Sequence, residues 1–185
     1  MNTLPQNGLT TLQAMQLRQA APMGVLPGYG DAVDIIAGRA VSNLAANSTA
    51  TASTTGVATG HQISFTPSGI WLQIHGTLTV QNNTAAGTTT VKLYRTNGSA
   101  PAAGAAFGAG DTCIFSGIAD HAVANGNQQV GLDIIDQGYP GTAGLTPGNQ
   151  YTYYVVLVSD NGAHQVLEVG NSTLPNSSSM VISNT

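Results

Sequence analysis

The stretch that most constrains the fold is Leu145–Asp160, LTPGNQYTYYVVLVSD. A Pro-Gly turn leads into three tyrosines and then an unbroken run of Val and Leu, too short to cross a membrane as a helix. In an extended chain successive side chains face opposite ways. Tyr151, Tyr153, Val155 and Leu157 then share one face, and Tyr154, Val156 and Val158 the other. A strand apolar on both faces must be covered on both, either centrally within a domain or between its own sheet and a neighbouring subunit.

From His61 onward the remaining chain reads with a period of two. Ile70–Gln81 is the cleanest alternation, with Ile70, Leu72, Ile74, Leu78 and Val80 on one face and Trp71, Gln73, His75, Thr77 and Thr79 on the other. Further strands are predicted at 61–66, 88–96, 111–116, 128–136, 150–159, 163–169 and 179–183, with Lys92 and Tyr94 outward in the 88–96 strand. Asn125-Gly126-Asn127 marks a turn, and Asn161-Gly162 between two apolar alternations is the strongest hairpin signal. Asn97–Gly110 is a long Gly/Ala/Pro loop of the kind that is functional or packs at an interface. About eight strands at this spacing predict an all-β fold, a jelly-roll-like or Greek-key β-sandwich.

Residues 1–60 differ in character. Thr10–Ala21 carries Leu12, Met15 and Leu17 loosely on one side and stops at Pro22-Met23-Gly24, which predicts a short helix. Asp31–Leu44, with Val33, Ile35 and Ile36, fits strand or helix equally, and Asn47–Gly60 is Ser/Thr/Ala-rich and reads as extended linker. The expected division is an N-terminal arm and linker over 1–60 and a β-sandwich over 61–185. An arm with a few apolar anchors and no core of its own lies on something else.

Composition narrows function. Only 6% of residues are charged, against roughly a quarter in ordinary soluble domains. Four Lys and Arg in a chain of net charge −4 cannot build the phosphate-tracking stripe that nucleic acid requires. No apolar run suits a membrane helix, and the N-terminus lacks the basic and apolar regions of a secretory signal. The lone Cys113, in the run Cys113-Ile114-Phe115, is expected to be a buried small hydrophobe.

Catalytic chemistry is not displayed. There is no Gly-x-Ser-x-Gly elbow and no phosphate loop ending in Lys-Ser/Thr. Asp133 and Asp136 point to opposite faces of one strand, and Asp31-x-x-Asp34 and Asp120-His121 fall short of a ligand set. The chain is therefore expected to be no enzyme, with no cofactor and no metal. Trp71 and His75 offer either a stacking platform for sugar or a face buried against the other sheet or another subunit, and burial is the expectation.

Two resemblances follow from these residues. Leu145-Thr146-Pro147-Gly148-Asn149-Gln150-Tyr151 resembles the Leu-x-Pro-Gly-x-x-Tyr corner of fibronectin type III domains, in which the tyrosine hydroxyl pins a connection between sheets. The whole plan of helical arm, Ser/Thr/Ala linker and charge-poor sandwich resembles small virion proteins of tailed bacteriophages, such as capsid decoration proteins and head fibres. That resemblance implies a virion component assembled in the host cytoplasm, commonly a homotrimer, with the major capsid protein or another virion protein as partner. It makes Leu12, Met15, Leu17, Val33, Ile35 and Ile36 anchor candidates. Trp71, His75, Tyr94, Tyr151, Tyr153, Tyr154, Val156 and Val158 become candidates for the subunit interface. The alternative is a tail-fibre tip that binds a host receptor or surface glycan through loop-end aromatics such as Tyr139 and Phe107.

Overall fold

The computed structural model describes residues 39–43, 48, 50–82, 87–137, 144–161, 164–166 and 178–184. Apart from Arg39, they fall within the compact unit Ala40–Thr185. The predicted helix over 10–21, all six anchor candidates and Tyr139 lie outside the described residues.

Nine strands are described: β1 (Arg39–Asn43), β2 (Val57–Phe65), β3 (Leu72–Asn82), β4 (Gly87–Thr96), β5 (Thr112–His121), β6 (Asn127–Asp136), β7 (Tyr151–Ser159), β8 (His164–Val166) and β9 (Ser178–Asn184). They form two sheets. One runs β1-β9-β3-β6, with the short β8 also paired to β3, and the other runs β2-β7-β4-β5. The ladders of β2, β3, β4 and β7 are antiparallel. The chain changes sheet at most steps, staying in one sheet only from β4 to β5 and from β8 to β9, and the last long strands slot in beside the first. This is the jelly-roll order, as the strand count predicts.

The core fills the space between the sheets. Leu72, Ile74, Leu78 and Val80 of β3 join Val130, Leu132, Met180 and Ile182 from one side, and Ile63, Phe65, Val91, Leu93, Tyr153, Val155 and Leu157 from the other. β7 is central in its sheet, between β2 and β4. Its odd positions enter this core. Its even positions, Tyr154 and Val156, form a second cluster with Ala58 and Tyr94 on the outer side, against Ala100 and Phe107.

Several sequence expectations change here. The sandwich takes in β1 and the start of β2, so its edge lies N-terminal to residue 61, and part of the expected linker is strand. Gly162 of the expected Asn161-Gly162 hairpin lies outside the described residues, but β7 and β8 are not its two arms, since they lie in different sheets: Val166, Gln165 and His164 pair with Val80, Gln81 and Asn82. Ile70 precedes the strand and is 56% exposed rather than inward. Cys113 is exposed, not buried, and its thiol donates to the Phe115 carbonyl at 3.2 Å. A register shift opposite Leu93 and Tyr94 rotates this end of β5 off simple alternation.

Candidate functional site

The polar groups inside the sandwich hold it together. Arg95 of β4 reaches Asp136 at the end of β6, with one guanidinium nitrogen 2.8 and 2.9 Å from the two carboxylate oxygens. The Tyr153 hydroxyl donates to the same carboxylate at 2.8 Å. Burial, and next the Asp136 charge, drive the Tyr153 phenol far above its ordinary range. Arg95 also lies over the Tyr151 ring, 5.5 Å from its centroid. Tyr151 makes the corner its motif implies: its hydroxyl accepts from the Thr146 N–H at 2.8 Å and donates to the Gly144 carbonyl at 3.4 Å. Leu145 beside it is buried.

Three of the other four described acids are engaged in the same way. Asp111 accepts from the Tyr154 hydroxyl at 2.6 Å and from the Gly108 N–H at 3.1 Å. Burial first, and then this bond, raise the Tyr154 phenol. Asp120 accepts from the Thr88 hydroxyl, and Asp160 from the Thr88 N–H. The His121 ring sits between the Gly126 carbonyl, 3.0 Å from Nδ1, and Thr89 Oγ1, 2.9 Å from Nε2. A carbonyl only accepts, so Nδ1 carries a proton, and in the neutral ring Nε2 accepts from Thr89. Among the described residues no three His, Cys, Asp or Glu gather as a metal set. Asp133 is exposed while Asp136 is buried, the opposed orientation read from the sequence.

The 97–110 loop supplies the cover that β7 requires. Its Ala105 carbonyl accepts from the Ala58 N–H, and its Gly104 N–H donates to the Ala58 carbonyl, both at 2.8 Å. Phe107 stacks on Tyr94 at 4.7 Å between centroids, and Tyr94 stacks on Tyr154 at 5.8 Å. Tyr94, Tyr154 and Val156 are thereby buried within their own chain, while Tyr151 and Tyr153 are buried in the core between the sheets. These five interface candidates have little or no side-chain surface with which to meet another subunit. Val158 is half-buried. Phe107 is a packing residue rather than a loop-end aromatic. Sequence analysis shows that the second face of β7 must be covered; it does not contain the signal that a loop beginning some fifty residues earlier does so.

Trp71 and His75 behave differently. Trp71 is 46% exposed and His75 is exposed, so neither is buried within the chain. Register pairs Gln73 with Ile135 and His75 with Asp133 on β6, and Trp71 immediately precedes the first ladder pair, Leu72 with Asp136. Ile135 is 55% exposed. The outer face of β3 and β6 is long, extended and almost uncharged, with two large apolar side chains in water. It is the surface of the described residues best suited to meeting another molecule. The isolated Ile118 and Val123 are also exposed, on β5 and the turn after it.

The arrangement defines a jelly-roll protein whose candidate site is a surface rather than a cleft. No protein-family model matches the chain, and no curated protein does. Solved structures similar to it include Eiger TNF from S. frugiperda, with 9% identity and a TM-score of 0.47 over 80% of this chain and 91% of that one. Infectious bursal disease virus Gt strain is similar at 10% identity and a TM-score of 0.40, over 88% of this chain and 41% of that one. The Gx strain gives 13% identity and a TM-score of 0.36, over 78% and 37%. The chain spans less than half the length of the two viral chains.

Proposed function

We propose that this chain is a non-enzymatic virion structural protein of the phage capsid decoration or head-fibre type, acting by association with copies of itself and with another virion protein. The observation that carries the reading is how the polar groups are used. The buried charges, the tyrosine hydroxyls and four of the five described acids join strands and loops to one another, while the surface keeps apolar Trp71 and Ile135 on a nearly uncharged sheet face. Such a molecule has the means to pack and little with which to transfer protons or groups. The trimer expected from the two-faced β7 loses its ground, since that strand is covered by its own loop. Contact between copies is assigned instead to the outer face of β3 and β6 and to the free edge of β6. The segment N-terminal to β1, which carries all six anchor candidates, keeps the proposed role of attachment to the shell.

The test is whether the chain travels with particles. Virus particles purified from the cells that make it should contain it in fixed stoichiometry by gel densitometry. Recovery of the chain only in the slow-sedimenting fraction would overturn the reading.

Exposed Trp71 favours a second reading, a module that binds a host surface glycan with the indole as stacking platform and His75 and Asp133 as polar neighbours. That reading expects saturable binding to a sugar on a glycan array, abolished in Trp71→Ala, and quenching of the single tryptophan's fluorescence by the same sugar in solution.

A further inference from the structure

Sheet edges expose unpaired backbone donors and acceptors, and proteins defend them with bulges, covers, short strands, Lys or Pro. Three of the four edges in this sandwich are defended. β1 is five residues long. β2 has a register shift between Ala58 and Gln62, and its Ala58 is hydrogen-bonded to Ala105 and Gly104 of the covering loop. β5 carries the shift opposite Leu93 and Tyr94.

Among the described residues, β6 has none of these devices. It ends its sheet, with β3 as its ladder partner. Ten consecutive pairs, from Asn127 opposite Gln81 to Asp136 opposite Leu72, run without a shift. The strand holds no Lys, Arg or Pro, and Asn127, Gln128, Gln129, Gly131, Asp133 and Ile135 are exposed. At its centre Gly131 faces open space, so no side chain shields the backbone there.

We infer that β6 is a homodimerisation edge, pairing antiparallel with β6 of a second copy about a two-fold axis at Gly131. The result is one continuous sheet, β1-β9-β3-β6 followed by the same four strands reversed. The charge pattern selects the partner and the register. Asp133 is the one exposed charge on β6, since Asp136 is turned inward to Arg95. A two-fold at Gly131 sets each Asp133 opposite Gln129 of the other copy, whose amide can donate to it. A two-fold at Asp133 would set the carboxylates against each other, which is unfavourable. The Gly131 register also pairs Val130 with Leu132 across the axis and continues the core side from one copy to the next. The inference takes from the proposed function only that copies meet each other, and it is tested on the purified chain without particles.

Light scattering of the full chain across a micromolar dilution series should give twice the chain mass, dissociating on dilution. Two lysine substitutions on the same face then report the register with opposite signs. Gly131→Lys sets two lysines directly opposed at the axis and should weaken the dimer about five-fold, the upper range for one cross-strand pair. Gln129→Lys sets a lysine opposite each Asp133 and should tighten it, with up to about five-fold from each of the two pairs. Both side chains enter open or exposed positions of the single chain, and circular dichroism should show the fold unchanged. A monomer at every concentration overturns the inference, as does a dimer that responds to the two lysines with the same sign or to neither. A positive particle assay beside a monomeric chain would sink this pairing and leave the virion reading standing; a dimer absent from particles would do the reverse.

Discussion

Arg95 and Asp136 come from opposite sheets and meet in the interior, each about 4% exposed, with a nitrogen–oxygen distance of 2.8 Å. They act as a polar rivet through the sandwich, and Tyr153 takes up part of the remaining acceptor capacity of the carboxylate.

Breaking this pair on one side leaves a buried charge uncompensated. Asp136→Asn should destabilise the protein by about 3–5 kcal/mol, read from the urea unfolding midpoint. The double substitution Arg95→Met with Asp136→Leu removes both charges and should recover most of that loss. Equal losses in the single and double variants would contradict the ion pair.

The inner face of β3 is interrupted at Gly76, where a Cβ would overlap the Ser179 carbonyl of β9. Gly76→Ala must push the two paired strands apart at the middle of their ladder, which runs from Leu72 opposite Asn184 to Leu78 opposite Ser178. Overpacking of this kind costs about 1–3 kcal/mol. The thermal midpoint should fall, whereas Gly131→Ala on the open face of β6 should leave it unchanged or raised.

The tyrosines predict the response to alkali. Burial raises the Tyr153 and Tyr154 phenols well above the ordinary 10.0. The native chain keeps these protons where the unfolded chain releases them, so their contribution to stability is whole below pH 10 and is lost as pH rises above it. Ultraviolet titration should show both phenols ionising together with unfolding. Phe at 153 and 154 should flatten the alkaline part of the stability curve. Smooth ionisation of all six tyrosines in the folded protein would contradict the burial.

Cys113 should react with a maleimide at the rate of an exposed thiol without denaturant, since it is exposed on β5. A thiol that labels only after unfolding would return it to the buried role that its apolar neighbours suggest.

The strands with the strongest local apolar patterning were legible at the level of residues. β3, β6 and β7 begin and end within two residues of the predicted spans, because alternation and Gly/Asn turns both report on local backbone. The Tyr151 corner was legible for the same reason, since its bonds reach only to Gly144 and Thr146. What escaped depends on distant chain. Arg95 and Asp136 are forty-one positions apart, and neither residue alone differs from a surface charge. Asn161-Gly162 has a hairpin's local chemistry, but the partner chosen by β8 is the free end of β3. Cys113 shares an apolar run with Ile114 and Phe115, and a one-residue shift sent it outward. At the candidate site the sequence named Trp71 and His75, while Ile135 and the open edge beside them emerged only from register.

The strand order carries a consequence for synthesis. β1 and β9, the first and last described strands, are neighbours, and β7 pairs with β2 across most of the intervening chain. In a nascent chain β2 therefore waits for β7, and β1 and β3 wait longer still for β9 to leave the ribosome. Folding must wait for contacts of long sequence separation, the regime of milliseconds to seconds rather than microseconds. During that wait β3 has its β9 side open along Leu72–Leu78, so a ribosome stalled before Ser178 holds a half-sheet with a vacant slot.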